Sequence, residues 1–231
     1  MKTVGLIGGV GPESTIEYYR FIIAAYREQK KDDSYPRIII NSIDLQQMLG
    51  FINADDWASA TASLVEDLHK LVRAGADFAA LSSNTPHAVF DELQRQCPVP
   101  LISIVESAAA AAHALGLKKL ALFGSRFTME RRFYADVFAR QGMTVFVPEK
   151  DEQAWIHEKY MSELIHGVIL PQTRAGLLAI VGRMQQRHGI QALILGGTEL
   201  PLILRDVPGQ HIPFLDTTQI HVKEIVAQLL A

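Results

Sequence analysis

Short, continuous apolar runs recur along the chain, and most end on a small or polar residue. They are VGLIGG (4–9), RIIINSID (37–44), DFAALSS (77–83), PLISIV (100–105), KLALFG (119–124), TVFVP (144–148), ALILGG (192–197) and PFLD (213–216). Runs that are apolar throughout, rather than at every second position, suit strands covered on both faces. Between them the apolar period changes. In Asp55–Ala74, Trp57, Leu64, Leu68 and Leu71 recur at helical spacing, which predicts an amphipathic helix. Strands alternating with such helices predict βαβ units and parallel sheets, so the fold class is α/β.

The pattern also repeats. KTVGLIGGVGPESTIEYYR matches KKLALFGSRFTMERRFYAD, GADFAALSSNTPHAV matches GIQALILGGTELPLI, and PLIS matches PFLD. These matches pair Gly8 with Gly124, Ser83 with Gly197 and Pro100 with Pro213, at offsets of 116, 114 and 113. Three matches in one order, with almost constant offset, predict two pseudo-symmetric α/β domains, each a parallel sheet flanked by helices. The first domain is expected to comprise residues 1–98 with 212–231, because the C-terminal helix (219–230) would pack back on it. The second is expected to comprise 99–211. A ligand cleft between the two halves is expected, since strand ends and helix starts from both would face it.

Composition narrows the partners. Lys and Arg number 22 against 25 Asp and Glu, a net charge of −3 over 231 residues, so no basic footprint for nucleic acid exists. No uncharged apolar run is long enough to cross a membrane, and no small-residue cleavage site follows the first apolar stretch. Cys97 is the only cysteine, which excludes an internal disulfide and fits a reducing, cytoplasmic setting.

Candidate chemistry lies at the strand ends. The first run closes on Gly8-Gly9-Val10-Gly11-Pro12-Glu13-Ser14-Thr15. Glycines allow close backbone approach, and the next helix start offers free N–H groups to a small anion or carboxylate, although a plain strand-to-helix turn has the same composition. A dinucleotide fingerprint is not present, because Ser14 stands at the third glycine position, and no Gly-Lys-Ser/Thr phosphate loop occurs. Ser82-Ser83-Asn84-Thr85-Pro86-His87 ends the third run, where Ser and Asn also serve as helix caps. Gly124-Ser125-Arg126-Phe127-Thr128 and Gly196-Gly197-Thr198-Glu199 repeat the offer in the second half, and Asp216-Thr217-Thr218 closes the set. Such neutral donors suit a ligand with two carboxylates better than a phosphate ester. His87 and His221 follow these motifs closely enough to orient polar neighbours, and no histidine spacing predicts a metal site.

With GLIGGVGPESTIEYYR, SSNTPH (82–87), GSRFTM (124–129), GGTEL (196–200) and DTTQIH (216–221) in this order, the chain resembles the aspartate/glutamate racemase family over its full length. The resemblance implies two pseudo-symmetric α/β domains, a homodimer, no cofactor, and an acidic amino acid or dicarboxylate as the small-molecule partner. It also implies one acid/base residue from each half, usually cysteine, on opposite faces of the substrate α-carbon. A thiol with a pKa near ~8.5 is readily tuned to take and return a proton. Those two positions are Ser83 and Gly197 in this chain, and Cys97 matches neither. The ligand cradle carries over as Gly9, Gly11, Ser14, Asn84, Thr85, Ser125, Thr128, Thr198 and Glu199, with Tyr18 and Gln47 as pocket walls. Ser83 assisted by His87 is the candidate acid/base group on one face. The resemblance thus implies a racemase-like isomerase in which fast two-thiol racemisation is weak or absent. A non-racemising binding protein, or another isomerase or lyase of the superfamily, is the alternative.

Overall fold

The computed structural model describes residues 1–205, 207 and 211–231. All eight apolar runs form strands. β1 (Thr3–Gly8), β2 (Arg37–Ser42), β3 (Phe78–Leu81) and β4 (Leu101–Ile102) make one parallel sheet in the order β2-β1-β3-β4. β5 (Lys119–Gly124), β6 (Thr144–Phe146), β7 (Ala192–Gly196) and β8 (Phe214–Asp216) make a second in the order β6-β5-β7-β8. The central strands are buried along almost their whole length, which is why their sequences read as unbroken apolar runs.

The chain divides into two compact units, Met1–Ile104 with His221–Ala231, and Val105–Ile220. These bounds differ from the expected 98/99 and 211/212. β4 pairs with β3 through Ala79 and Leu101, so it completes the first sheet. β8 pairs with β7 through Leu193 and Phe214, so it completes the second. Each half-repeat therefore keeps its own fourth strand, and the chain changes units only after that strand.

In the first unit, α1 (Pro12–Lys30) and the end of α11 (Thr217–Leu230) supply the core. Tyr18, Ile22 and Tyr26 meet Val222, Ile225, Val226 and Leu229 over β1 and β3. α3 (Trp57–Arg73) is the helix expected from its apolar spacing, and it buries Leu64, Leu68 and Leu71. In the second unit, α8 (Lys150–Ser162), α9 (Pro171–His188) and α10 (Leu200–Leu204) bury Ile156, Tyr160, Leu177, Ile180 and Ile203 against β5 and β7. No described helix is long and apolar enough to cross a membrane.

Candidate active site

In a parallel sheet the loops after the carboxyl ends of the strands share one edge. The first unit brings the loops after β1 and β3 together there, since these strands are neighbours paired through Ile7 and Leu81. Gly9 has a φ of +83° and Gly11 a φ of +49°, conformations that glycine adopts at little cost. The N–H of Gly9 donates to Thr15 Oγ1 at 2.9 Å, so it is committed within the turn. Gly11 begins α1 without a side-chain cap. The Ser14 hydroxyl is buried and donates to the Ser82 carbonyl at 2.7 Å, while Ser82 Oγ donates to the Ile7 carbonyl at 3.0 Å. Gly9 and Ser14 thus have their donors engaged by the protein itself, which limits the part expected of them in holding a ligand.

Ser83 is partly buried, and among the described residues its hydroxyl makes no hydrogen bond. Asn84 is buried and Thr85 partly so, at the start of the 3-10 turn Thr85–Val89. His87 does not reach the Ser83 hydroxyl. Its Nδ1–H donates to the Ser83 carbonyl at 3.0 Å, and its Nε2 accepts from the Ile104 N–H at 3.2 Å. Burial, with the neighbouring His221, depresses its pKa to about 3, so the ring is neutral. A neutral imidazole with both nitrogens held by backbone is no base for Ser83, and the expected Ser83–His87 pair is not formed.

Tyr18 lies in the core rather than on a pocket wall. Its hydroxyl donates to His221 Nδ1 at 2.8 Å, and His221 Nε2–H donates to the Ile102 carbonyl at 2.9 Å. Burial holds His221 at about 4. His221 therefore orients Tyr18, in keeping with its position after the DTT motif, and His87 stands edge-on to it at 6.4 Å. Gln47 is exposed on α2 (Leu45–Asn53) and borders a polar cavity of about 320 Å³ beside Asp44, Asp67 and Lys70. There Asp67 accepts from Asn41 and from Lys70, both at 2.9 Å.

The second unit repeats this geometry after β5 and β7, paired through Gly124 and Gly196. Ser125 caps α6 (Arg126–Glu130), accepting from the Thr128 N–H at 3.3 Å, with the two hydroxyls 3.2 Å apart. Thr198 and Glu199 are buried directly after Gly197. Thr198 Oγ1 donates to Glu199 Oε2 at 2.9 Å, and the Tyr160 hydroxyl donates to the same oxygen. Asp216 caps α11 through the Gln219 N–H and pairs with Arg205, while the Thr217 hydroxyl donates to the Leu195 carbonyl. Tyr160 carries no motif, and nothing in the sequence marks it. Cys97 ends α4 (Phe90–Gln96), ahead of β4 and therefore on the opposite edge of the sheet, where burial raises its thiol pKa.

Among the described residues no group of three His, Cys, Asp or Glu is placed to hold a metal ion. The chain is similar over 99% of its length to the broad specificity amino-acid racemase RacX of Bacillus subtilis, at 25% identity and 98% coverage of that protein. The crystal structure of an aspartate racemase homologue from Pyrococcus horikoshii matches with a TM-score of 0.86 and 32% identity, covering both chains completely. That of a Yersinia pestis candidate Asp/Glu racemase matches with a TM-score of 0.90 and 31% identity, again over both whole chains. The sequence profile of the Asp/Glu/hydantoin racemases spans residues 7–225, and the chain belongs to that family.

Proposed function

We propose that this protein binds an acidic amino acid, or a dicarboxylate of similar size, and catalyses two-base racemisation slowly if at all. The observation that carries this reading is the state of His87. Both its ring nitrogens are tied to backbone, so His87 does not act as a base on Ser83, and among the described residues no other group bonds the Ser83 hydroxyl. A free serine hydroxyl cannot remove an α-proton at neutral pH, and Gly197 offers no side chain to return one. The acidic ligand is supported by polar side chains at the strand ends of each unit, Asn84 and Thr85 in the first and Ser125 and Thr128 in the second, and by the family's name. The RacX relative is named for broad specificity, so neutral amino acids belong among the ligands tried. A cofactor-free homodimer in the cytoplasm completes the reading.

The test is calorimetric or thermal-shift titration with both enantiomers of aspartate and glutamate, a plain dicarboxylate and a neutral amino acid. Saturable binding of an acidic member is expected, and no binding by any of them sinks the proposal. In deuterated water the α-proton of a bound amino acid should exchange very slowly. Rapid exchange for either hand would show that a base acts at Ser83 after all.

A further inference from the structure

Ser83 and Gly197 are repeat-mates, lying within two residues of the ends of β3 and β7, yet only one has a side chain. Glycine is not required at 197 by the backbone, because Gly197 is absent from the glycines with positive φ. What excludes a side chain there is Tyr160. A Cβ on residue 197 would stand 2.5 Å from Tyr160 Cε2, 2.9 Å from its hydroxyl oxygen and 3.0 Å from Cζ. All three of the atoms nearest to that Cβ belong to Tyr160.

The tyrosine is not free to give way. It sits in the core of the second unit on α8, among Phe123, Ile156, Leu164 and Leu200. Its hydroxyl is held by Glu199, which Thr198 also bonds. A polar oxygen therefore still stands at the end of β7, supplied by α8 instead of by residue 197. Its chemistry differs from that of a side chain able to take a proton. Burial and the Glu199 charge push the phenol well above its usual range, so it keeps its proton. Giving that proton away would place a phenolate beside a carboxylate.

We propose that Tyr160 is a specificity-determining residue of this site, filling the place of the missing 197 side chain with a ring fixed by Glu199. The strand end is thereby a hydrogen-bonding wall and not a second proton-transfer position. The meaning of that position rests on the binding reading above, but the Tyr160–Gly197 coupling requires no ligand.

The experiment introduces Gly197→Cys in three backgrounds: wild type, Tyr160→Val and Tyr160→Phe, all with Cys97→Ser so that the new thiol is the only one. Melting temperature, reactivity of the thiol toward a disulfide reagent, and α-proton exchange of aspartate and glutamate are read for each. In the wild-type and Tyr160→Phe backgrounds the cysteine should lower the melting temperature by several degrees, since the ring carbons remain. In the Tyr160→Val background most of that loss should disappear, and the thiol should react at least tenfold faster. Detectable α-proton exchange is expected only in that valine background. Equal melting losses in all three backgrounds, or rescue by phenylalanine as complete as by valine, would overturn the proposal. Gly197→Ala in the wild type is the check should the valine variant not fold, because the Cβ alone meets the ring. No melting loss in that variant also overturns it. Loss of ligand binding throughout, with the coupling intact, would instead count against the binding reading alone.

Discussion

The two sheets share strand order and register, and the pairing of Ile7 with Leu81 recurs as that of Phe123 with Leu195. Their third strands nonetheless end in different ways. After β3 a small hydroxyl side chain remains at Ser83, and the imidazoles nearby are neutral, His87 tied to backbone at both nitrogens and His221 held by the Tyr18 hydroxyl and the Ile102 carbonyl. After β7 the side chain is absent, and an aromatic ring from another helix takes its volume. The first end keeps a partly buried side chain, whereas at the second a Cβ alone would meet the Tyr160 ring. A position that matches a catalytic residue in sequence is therefore not automatically a position where that residue can be restored.

The largest expected effect sharpens this contrast by comparing two glycines. A Cβ on Gly9 would lie 2.3 Å from the Ile43 carbonyl oxygen and 2.7 Å from its nitrogen, at a φ of +83°. These are backbone atoms, so no side-chain truncation makes room. Gly9→Ala should cost about 3 kcal/mol or more, combining left-handed strain with overpacking. Urea unfolding measures it. A loss below about 1 kcal/mol would mean that the loop after β1 yields as readily as a side chain, ending the distinction between Gly9 and Gly197.

The buried imidazoles give the second effect. In the unfolded chain both histidines titrate near 6.5, whereas in the fold His87 and His221 lie at about 3 and 4. Their folded pKa values are depressed, so below pH 6.5 the unfolded chain takes up protons that the folded one refuses. Stability from these groups is complete above that pH. It falls as pH drops toward 4, where His221 protonates, and on to 3 for His87. The share of this loss that belongs to His221 is of the order of a few kcal/mol, because a pKa lowered by one pH unit corresponds to about 1.4 kcal/mol. His221→Gln should start less stable at neutral pH and lose less on acidification. Unfolding midpoints from pH 7 to 4 that fall in parallel for wild type and variant would show that His221 is not held neutral.

Much of this architecture can be read from the sequence, and the part that cannot has a physical reason. Strands buried on both faces announce themselves as apolar runs, so all eight are legible, and the repeat announces two similar sheets. The expected domain ends each fall one strand away from the observed ones, since a two- or three-residue edge strand such as β4 or β8 has too short a pattern to declare its sheet. At the site, glycine and hydroxyl motifs identify which loops gather at the strand ends. They do not reveal that Ser14 and Gly9 are already bonded by the protein itself, because a hydrogen-bond partner far away in sequence, such as Ser82 for Ser14, leaves no local pattern. Tyr160 lies on α8, 37 residues before Gly197 in the numbering of the chain, and its neighbours spell an ordinary helix.

The smallest effect tests the quieter strand end, where two adjacent serines have opposite surroundings. Ser82 is fully buried, and its hydroxyl donates to the Ile7 carbonyl. Removing it in Ser82→Ala should cost about 1 kcal/mol, the net value of one such bond, with the carbonyl still served by the Ser82 N–H at 3.0 Å. Ser83 is partly buried and its hydroxyl has no partner among the described residues. Ser83→Ala should therefore change stability by less than about 0.5 kcal/mol, within the range of substitutions that break nothing. If the hydroxyl has a role it is toward a ligand, so the same variant should weaken binding of an acidic amino acid while leaving the melting temperature alone. A melting loss as large as that of Ser82→Ala would mean that Ser83 is a structural serine. The contrast between an open first strand end and a plugged second one would then fail on the first side, with the Tyr160 plug untouched.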